Sequence, residues 1–172
     1  MLKILSGKYK GLKLNTISLK SLRPTQAIVR KSIMDSIMFF ENKVVLDLFS
    51  GIGSLGLEAL SRGAKKAKFV DCNYRTVKVL SNNVNKLELS SKCEIIKSDV
   101  EQYLKNEKNN FDIIFADPPY EKEYLLQLLP FIKEHLNDNG IFIYESKKKD
   151  FNLGKDFKVK YFGSTQLLIW KK

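Results

Sequence analysis

Asp117-Pro118-Pro119-Tyr120 follows directly on the apolar run Phe111-Asp112-Ile113-Ile114-Phe115-Ala116. Two prolines after a strand fix φ and remove two backbone N–H groups, so the carbonyls there face outward with no ladder to join. The result is a stiff set of acceptors beside an aromatic face. It suits a planar amino group that must be held, stacked and relieved of a proton, as in methylation of the exocyclic nitrogen of a nucleobase. Such a nitrogen is a poor nucleophile because its lone pair is delocalised into the ring. Hydrogen bonds from its protons to the Asp117 carboxylate and the Pro118 carbonyl, in a turn stiffened by Pro119, would favour a pyramidal nitrogen. Catalysis would then be mostly positioning, with acceptors preset for the developing positive charge. Tyr120 would stack on the base, a contact worth about 1–3 kcal/mol, and the base would have to arrive unpaired or flipped out. The plainer alternative is a proline-stopped strand with a helix cap.

A methyl donor needs its own site. Asp47-Leu48-Phe49-Ser50-Gly51-Ile52-Gly53-Ser54-Leu55-Gly56 closes one apolar run and opens a helical one. It contains G-x-G-x-x-G in strand–turn–helix context. Asp71 lies about 20 residues on, at the end of the next strand, where a carboxylate can grip ribose hydroxyls. Alone these features admit NAD, FAD or S-adenosylmethionine. Asp47 shifts the choice, because an acid before the turn repels a pyrophosphate and attracts an amino group and a sulfonium. Phe49, Gly51 and Gly53 complete the turn. Asp99 and Val100 follow the third strand, where Asp99 can accept from the adenine amino group, cap a helix, or do both.

Those residues require a frame. Residues 1–22 form an N-terminal extension whose start reads as a hairpin, Lys3-Ile4-Leu5 and Leu12-Lys13-Leu14 flanking Gly7-Lys8-Tyr9-Lys10-Gly11. Residues 23–172 form the main domain. Thr25 is a candidate N-cap for a helix whose apolar stripe runs Val29, Ile33, Ile37 and Phe40, widened by Met34 and Met38. From Val44 onward, strands near 44–48, 67–71, 93–97, 111–116 and 140–145 alternate with helices, and two strands around Gly163-Ser164 close the chain as a hairpin. Regular alternation predicts an α/β fold with a mostly parallel sheet and helices on both faces. Ligands of such sheets bind beyond the carboxyl ends of the strands, where all the residues above fall.

The 172 residues suffice for one core. Mean hydropathy is −0.23, and no apolar run is long enough to span a bilayer. The first residues lack the apolar core of a signal peptide, which predicts a cytoplasmic protein. Lys and Arg number 30 against 19 Asp and Glu, a net charge of +11. An excess this large on a small domain points to a polyanionic partner. Nucleic acid fits better than membrane, since no basic helix with a strong apolar face is evident. Tyr9, Lys10, Arg23 and Arg30 are the candidate substrate contacts. Cys72 and Cys93 would lie roughly 15 Å apart at opposite ends of neighbouring strands, beyond disulfide reach. With His135 in a helix, no metal-ligand spacing arises.

The chain closely resembles the RsmD family of bacterial 16S rRNA guanine-N2 methyltransferases. The resemblance begins with Gly7-Lys8-Tyr9-Lys10-Gly11, Leu22-Arg23-Pro24-Thr25 and Val29-Arg30. It is most specific over Leu46–Gly63, and it extends through Asp112–Tyr120 and Tyr161-Phe162-Gly163-Ser164-Thr165. It implies a seven-stranded Rossmann-like methyltransferase fold with an antiparallel closing strand, S-adenosyl-L-methionine as cofactor and no metal. It also implies action on guanine 966 of 16S rRNA, within the small ribosomal subunit or an assembly intermediate, and a monomer is expected. The chain departs from the family's usual pattern at Lys31, where Glu is usual, and at Asp71-Cys72-Asn73, where Glu and a further acid two residues on are usual.

Three other readings stay open at this point. An adenine-N6 methyltransferase would use the same Asp-Pro-Pro-Tyr, but a DNA enzyme would ordinarily need a target-recognition segment for which there is no room. An NAD-dependent oxidoreductase explains the glycine turn and leaves Asp117–Tyr120 without a purpose. A non-catalytic rRNA-binding assembly factor is opposed by the intact Asp47, Gly51, Gly53, Asp71 and Asp117. The charge itself makes a prediction. The affinity for RNA should fall log-linearly with salt, by about 0.7–0.9 in slope per phosphate contacted; a flat titration would remove the argument from charge.

Overall fold

The computed structural model describes residues 2–17, 27–120 and 124–172. Arg23, Pro24 and the proposed cap Thr25 lie outside the described residues. The elements are α1 (Ala27–Asp35), β1 (Val44–Leu48), α2 (Ser54–Ser61), β2 (Lys66–Asp71), α3 (Tyr74–Lys86), β3 (Cys93–Lys97), α4 (Val100–Asn106), β4 (Phe111–Ala116), α5 (Leu125–His135), β5 (Leu136–Lys147), β6 (Phe157–Phe162) and β7 (Thr165–Lys171). One seven-stranded sheet runs in the order β3-β2-β1-β4-β5-β7-β6. The first five strands are parallel, and β7 runs antiparallel between β5 and β6. This is the α/β Rossmann-like methyltransferase arrangement. Among the described residues, no helix is long and apolar enough to cross a membrane.

The apolar strand runs follow from burial on both faces. Val45, Ile113, Phe115 and Ile143 face α1, α2 and α3, whereas Leu46, Leu48, Ile114 and Phe142 face α4 and α5. The first helix is shorter than its apolar stripe suggested. It ends at Asp35, the amides of Ser36 and Ile37 turn back to carbonyls three residues earlier, and Met38 is 80% exposed. Lys31 pairs with Asp35 on the exposed side of α1 at 2.6 Å. Cys72 and Cys93 are both free thiols, and burial pushes Cys93 up to about 12. His135 is buried at the end of α5, with Nε2 3.1 Å from the Leu104 carbonyl.

The N-terminal segment folds back on itself through an antiparallel bridge between Lys3 and Lys13. It is held by α2. The fully buried Glu58 accepts the amides of Leu5 at 2.7 Å and Ser6 at 2.9 Å, and Arg62 Nε donates to it at 3.1 Å. The Lys8 amide donates to the Ser61 carbonyl at 2.8 Å, and the Tyr9 amide to Ser61 Oγ at 3.0 Å. Gly7 sits at φ +81, and a Cβ there would stand 1.9 Å from the Ser61 oxygen. Ile4 and Leu14 join the main core. Higher up, Asn83 spans Asn15 and the Ile52 carbonyl of the glycine turn. Glu58→Ala should cost about 2–3 kcal/mol, because two part-buried amides and a guanidinium lose their acceptor. Urea denaturation checks the stability, and faster hydrogen exchange at Leu5 and Ser6 locates the loss.

Candidate active site

The carboxyl ends of β2, β1, β4 and β5 stand side by side, and each carries an acid: Asp71, Asp47, Asp117 and Glu145. The turn after β1 alternates in handedness, with positive φ at Phe49 (56°), Gly51 (54°) and Gly53 (85°). A non-glycine residue in that region is strained and persists only where its surroundings hold it. Here the Ser50 amide extends the ladder to the Val70 carbonyl at 3.0 Å, the Gly51 amide donates to Asp71 Oδ2 at 2.8 Å, and the Phe49 ring packs on Tyr124 with centroids 4.8 Å apart.

Asp47 is only 2% exposed, and its Oδ2 accepts the Gly56 amide at 2.8 Å. That amide is one of the unpaired donors of the first turn of α2. The preceding Gly53 supplies no side-chain cap, so Asp47 caps the helix from the strand. Burial outweighs this bond and holds the Asp47 carboxyl well above the usual carboxylate range, with Asp117 and Asp71 pushing the same way.

The later glycines of the turn lie close against neighbouring side chains. A Cβ on Gly53 would meet Leu80 at 2.4 Å, and one on Gly56 would meet Phe69 at 2.3 Å. Neither position has room for a side chain.

Asp71 Oδ1 accepts from the Asn73 amide at 2.8 Å and from Thr76 Oγ1 at 2.9 Å, while Oδ2 holds Gly51. Thr76 Oγ1 also lies 2.8 Å from the Asn73 carbonyl, and its one hydrogen serves only one of the two acceptors at a time. Asp99 caps α4 through Oδ1, 3.1 Å from the Gln102 amide, and is exposed, whereas Val100 is buried beneath it.

At the end of β4, Asp117 is half-buried, Pro118 buried, Pro119 exposed and Tyr120 half-buried. The Tyr120 hydroxyl donates to Glu145 Oε1 at 2.8 Å and lies 3.2 Å from Thr165 Oγ1. Its ring is thereby fixed between β5 and β7. Glu145 is 5% exposed, and its Oε2 has no hydrogen-bond partner among the described residues. Burial, and then the Asp117 charge, raise Glu145 to about 8. Neither Glu145 nor Tyr124 stands out as a site residue in the sequence. The one available signal was an acid ending an apolar strand level with Asp117.

The proposed substrate contacts divide. Tyr9 is partly buried under Lys8, Lys10 is exposed, and both lie at the Ser61 end of α2, away from the glycine turn. Arg30 is corrected as a surface contact. It is 2% exposed, and Nη2 donates to the Lys3 carbonyl at 2.8 Å. Burial lowers its pKa against the opposing pull of Glu58. Arg23 lies outside the described residues. Among those described, no cluster of His, Cys, Asp and Glu is arranged to hold a metal.

The family model described as conserved hypothetical protein 95 matches residues 2–171. The chain is 33% identical to the ribosomal RNA small subunit methyltransferase D of Haemophilus influenzae over 85% of this chain and 79% of that one. The chain belongs to the RsmD family. A hypothetical protein from Thermus thermophilus of solved structure covers all of both chains at 26% identity with a TM-score of 0.86. An RNA methyltransferase from Salinibacter ruber in complex with S-adenosyl-L-homocysteine shares the fold, at 16% identity and a TM-score of 0.71 over 87% of this chain and 93% of that one.

Glu145 makes the site sensitive to pH. Its folded pKa lies above the unfolded one, so the folded state binds the extra proton and stability falls as pH rises from the ordinary carboxyl range through about 8. Glu145→Gln cannot ionise and should flatten that decline; urea midpoints of both proteins between pH 5 and pH 9 measure it.

Proposed function

We propose that this chain transfers a methyl group from S-adenosyl-L-methionine to the exocyclic N2 of a guanine in 16S rRNA. By the family resemblance the base is guanine 966, reached in the cytoplasm in the small subunit or an assembly intermediate. The observation that carries the reading is Asp117-Pro118-Pro119-Tyr120 at the carboxyl end of β4, beside the Asp47 turn, in a member of the RsmD family. When bound, the cofactor supplies an activated methyl on a sulfonium, a leaving group that needs neither metal nor covalent help.

The protein's own residues bind and orient. Asp47, Asp71 and Asp117 give the site the negative potential that a sulfonium and an amino group require. Asp71 suits the ribose hydroxyls, and the exposed Asp99 suits an adenine amine. Asp117 and the Pro118 carbonyl accept the protons of the target amine and turn its lone pair toward the methyl. Tyr120 is a preset platform for the base. Its hydroxyl is already bound to Glu145 and Thr165, so little rotamer freedom is lost on stacking.

Small subunits lacking the modification, incubated with labelled S-adenosylmethionine, should gain label at one guanine of 16S rRNA when the modified base is mapped. Label on an adenine, or none, would overturn the reading. Asp117→Ala should reduce transfer by about 100–1,000-fold, the scale for losing one preset charge-stabilising group. Calorimetry should show that cofactor binding persists; equal loss of both would remove the role given to Asp117.

A further inference from the structure

Beyond the transfer site, β5 ends at Lys147 and is followed by Lys148 and Lys149, and each ammonium lies over a different aromatic ring. Lys147 Nζ is 6.0 Å from the centre of Tyr120, Lys148 Nζ 5.2 Å from that of Tyr161, and Lys149 Nζ 5.9 Å from that of Phe151. The series starts at the transfer site. Lys147 pairs with Thr165 across the β5–β7 ladder, and Thr165 Oγ1 lies 3.2 Å from the Tyr120 hydroxyl. Past Lys147 the chain leaves the strand, and the Lys148 amide donates to the Ser164 carbonyl at 2.9 Å, beside the β6–β7 turn.

Tyr161 is 62% exposed on the edge strand β6. A cavity of about 480 Å³ opens beside it, with Phe151 and Val159 among its apolar walls and Lys148 and Lys149 at its margin. A single exposed tyrosine is ordinary. Ammonium and ring in three successive pairs, ending at a cavity, match the two needs of a single nucleic-acid strand: cations for phosphates and π-faces for bases. The +11 charge selects a polyanion over an apolar peptide.

We propose that Lys147, Lys148 and Lys149, together with Tyr161 and Phe151, form a track for the single-stranded RNA flanking the target base, with a neighbouring base seated in the cavity against Tyr161. This rests on the RNA substrate proposed above. Phosphates draw the ammonium groups off the rings, and the ring faces so uncovered receive bases. Stacking tolerates any base, so the track holds the strand without reading its sequence.

The probe is a fluorescein-labelled single-stranded RNA of about ten nucleotides, with binding followed by anisotropy. Tyr161→Ala should weaken binding about 10-fold, while Tyr161→Phe binds as the wild type does. Lys148→Ala should lower the slope of log affinity against log salt by about 0.7. Lys108→Ala, in the loop before β4, should change neither. Tyr161 and Lys148 are exposed, so thermal midpoints should stay put. Wild-type affinity in both Tyr161→Ala and Lys148→Ala overturns the track, as does tighter binding of an acidic peptide than of the RNA at the same sites. Transfer to small subunits, assayed in parallel, separates the two claims. Normal transfer with unaffected variants overturns the track alone. Tyr161-dependent RNA binding without any transfer supports the track and overturns the proposed function.

Discussion

The bond from the Gly56 amide to the Asp47 carboxylate fixes the rest of the site. It ties the first turn of α2 to the end of β1, so the five residues between them have one path. That path requires positive φ at Phe49, Gly51 and Gly53, and it leaves no space for a Cβ at Gly56, where Phe69 packs. It also brings Gly51 to Asp71, which links the turn to β2 and, through Thr76 and Asn73, to the start of α3. A helix N-terminus carries about half a positive charge, which offsets part of the cost of burying Asp47 and not all of it.

The shortfall is shared along the sheet edge. Asp71, Asp47, Asp117 and Glu145 occupy four neighbouring strands, and Asp117 raises both Asp47 and Glu145. Like charges at close range in a partly dry site disfavour joint ionisation. A cationic ligand relieves that conflict and a pyrophosphate aggravates it. In the proposed function, the same electrostatics that burden the free protein favour a sulfonium cofactor over the dinucleotides that a glycine-rich turn could otherwise accept.

Most of the fold is legible in the sequence because a parallel sheet buried on both faces writes its strands as apolar runs, and those from Val44 to Ala116 fall where expected. The Asp47 turn and Asp117–Tyr120 are legible because their residue types are local and unusual. Long-range partnerships are not. Arg30 looks like any surface base on a helix until the Lys3 carbonyl, 27 residues earlier, takes its guanidinium inside. Glu145 looks like the polar stop of a strand until Tyr120 and Thr165 close around it. The stripe through Met38 fails because the turn at Ser36 ends the helix first. Glu58 sits within the most specific stretch of the family resemblance, and its reason for being there, two amides of the N-terminal segment, lies more than 50 residues away.

The position of β7 sets an order of assembly. It is the last of the seven strands to be synthesised, yet it lies between β5 and β6 rather than at an edge. Until Thr165–Lys171 leave the ribosome, β6 has no neighbour and one side of β5 is unpaired, while Leu167, Leu168 and Ile169 are missing from the two cores. A nascent chain that has already formed the glycine turn and the β4 segment thus carries an open sheet edge, the kind of surface that invites wrong pairing. Thr165, the first residue of that strand, is also the one that meets the Tyr120 hydroxyl, so pairing of β7 with β5 and β6 and fixing of the Tyr120 ring go together.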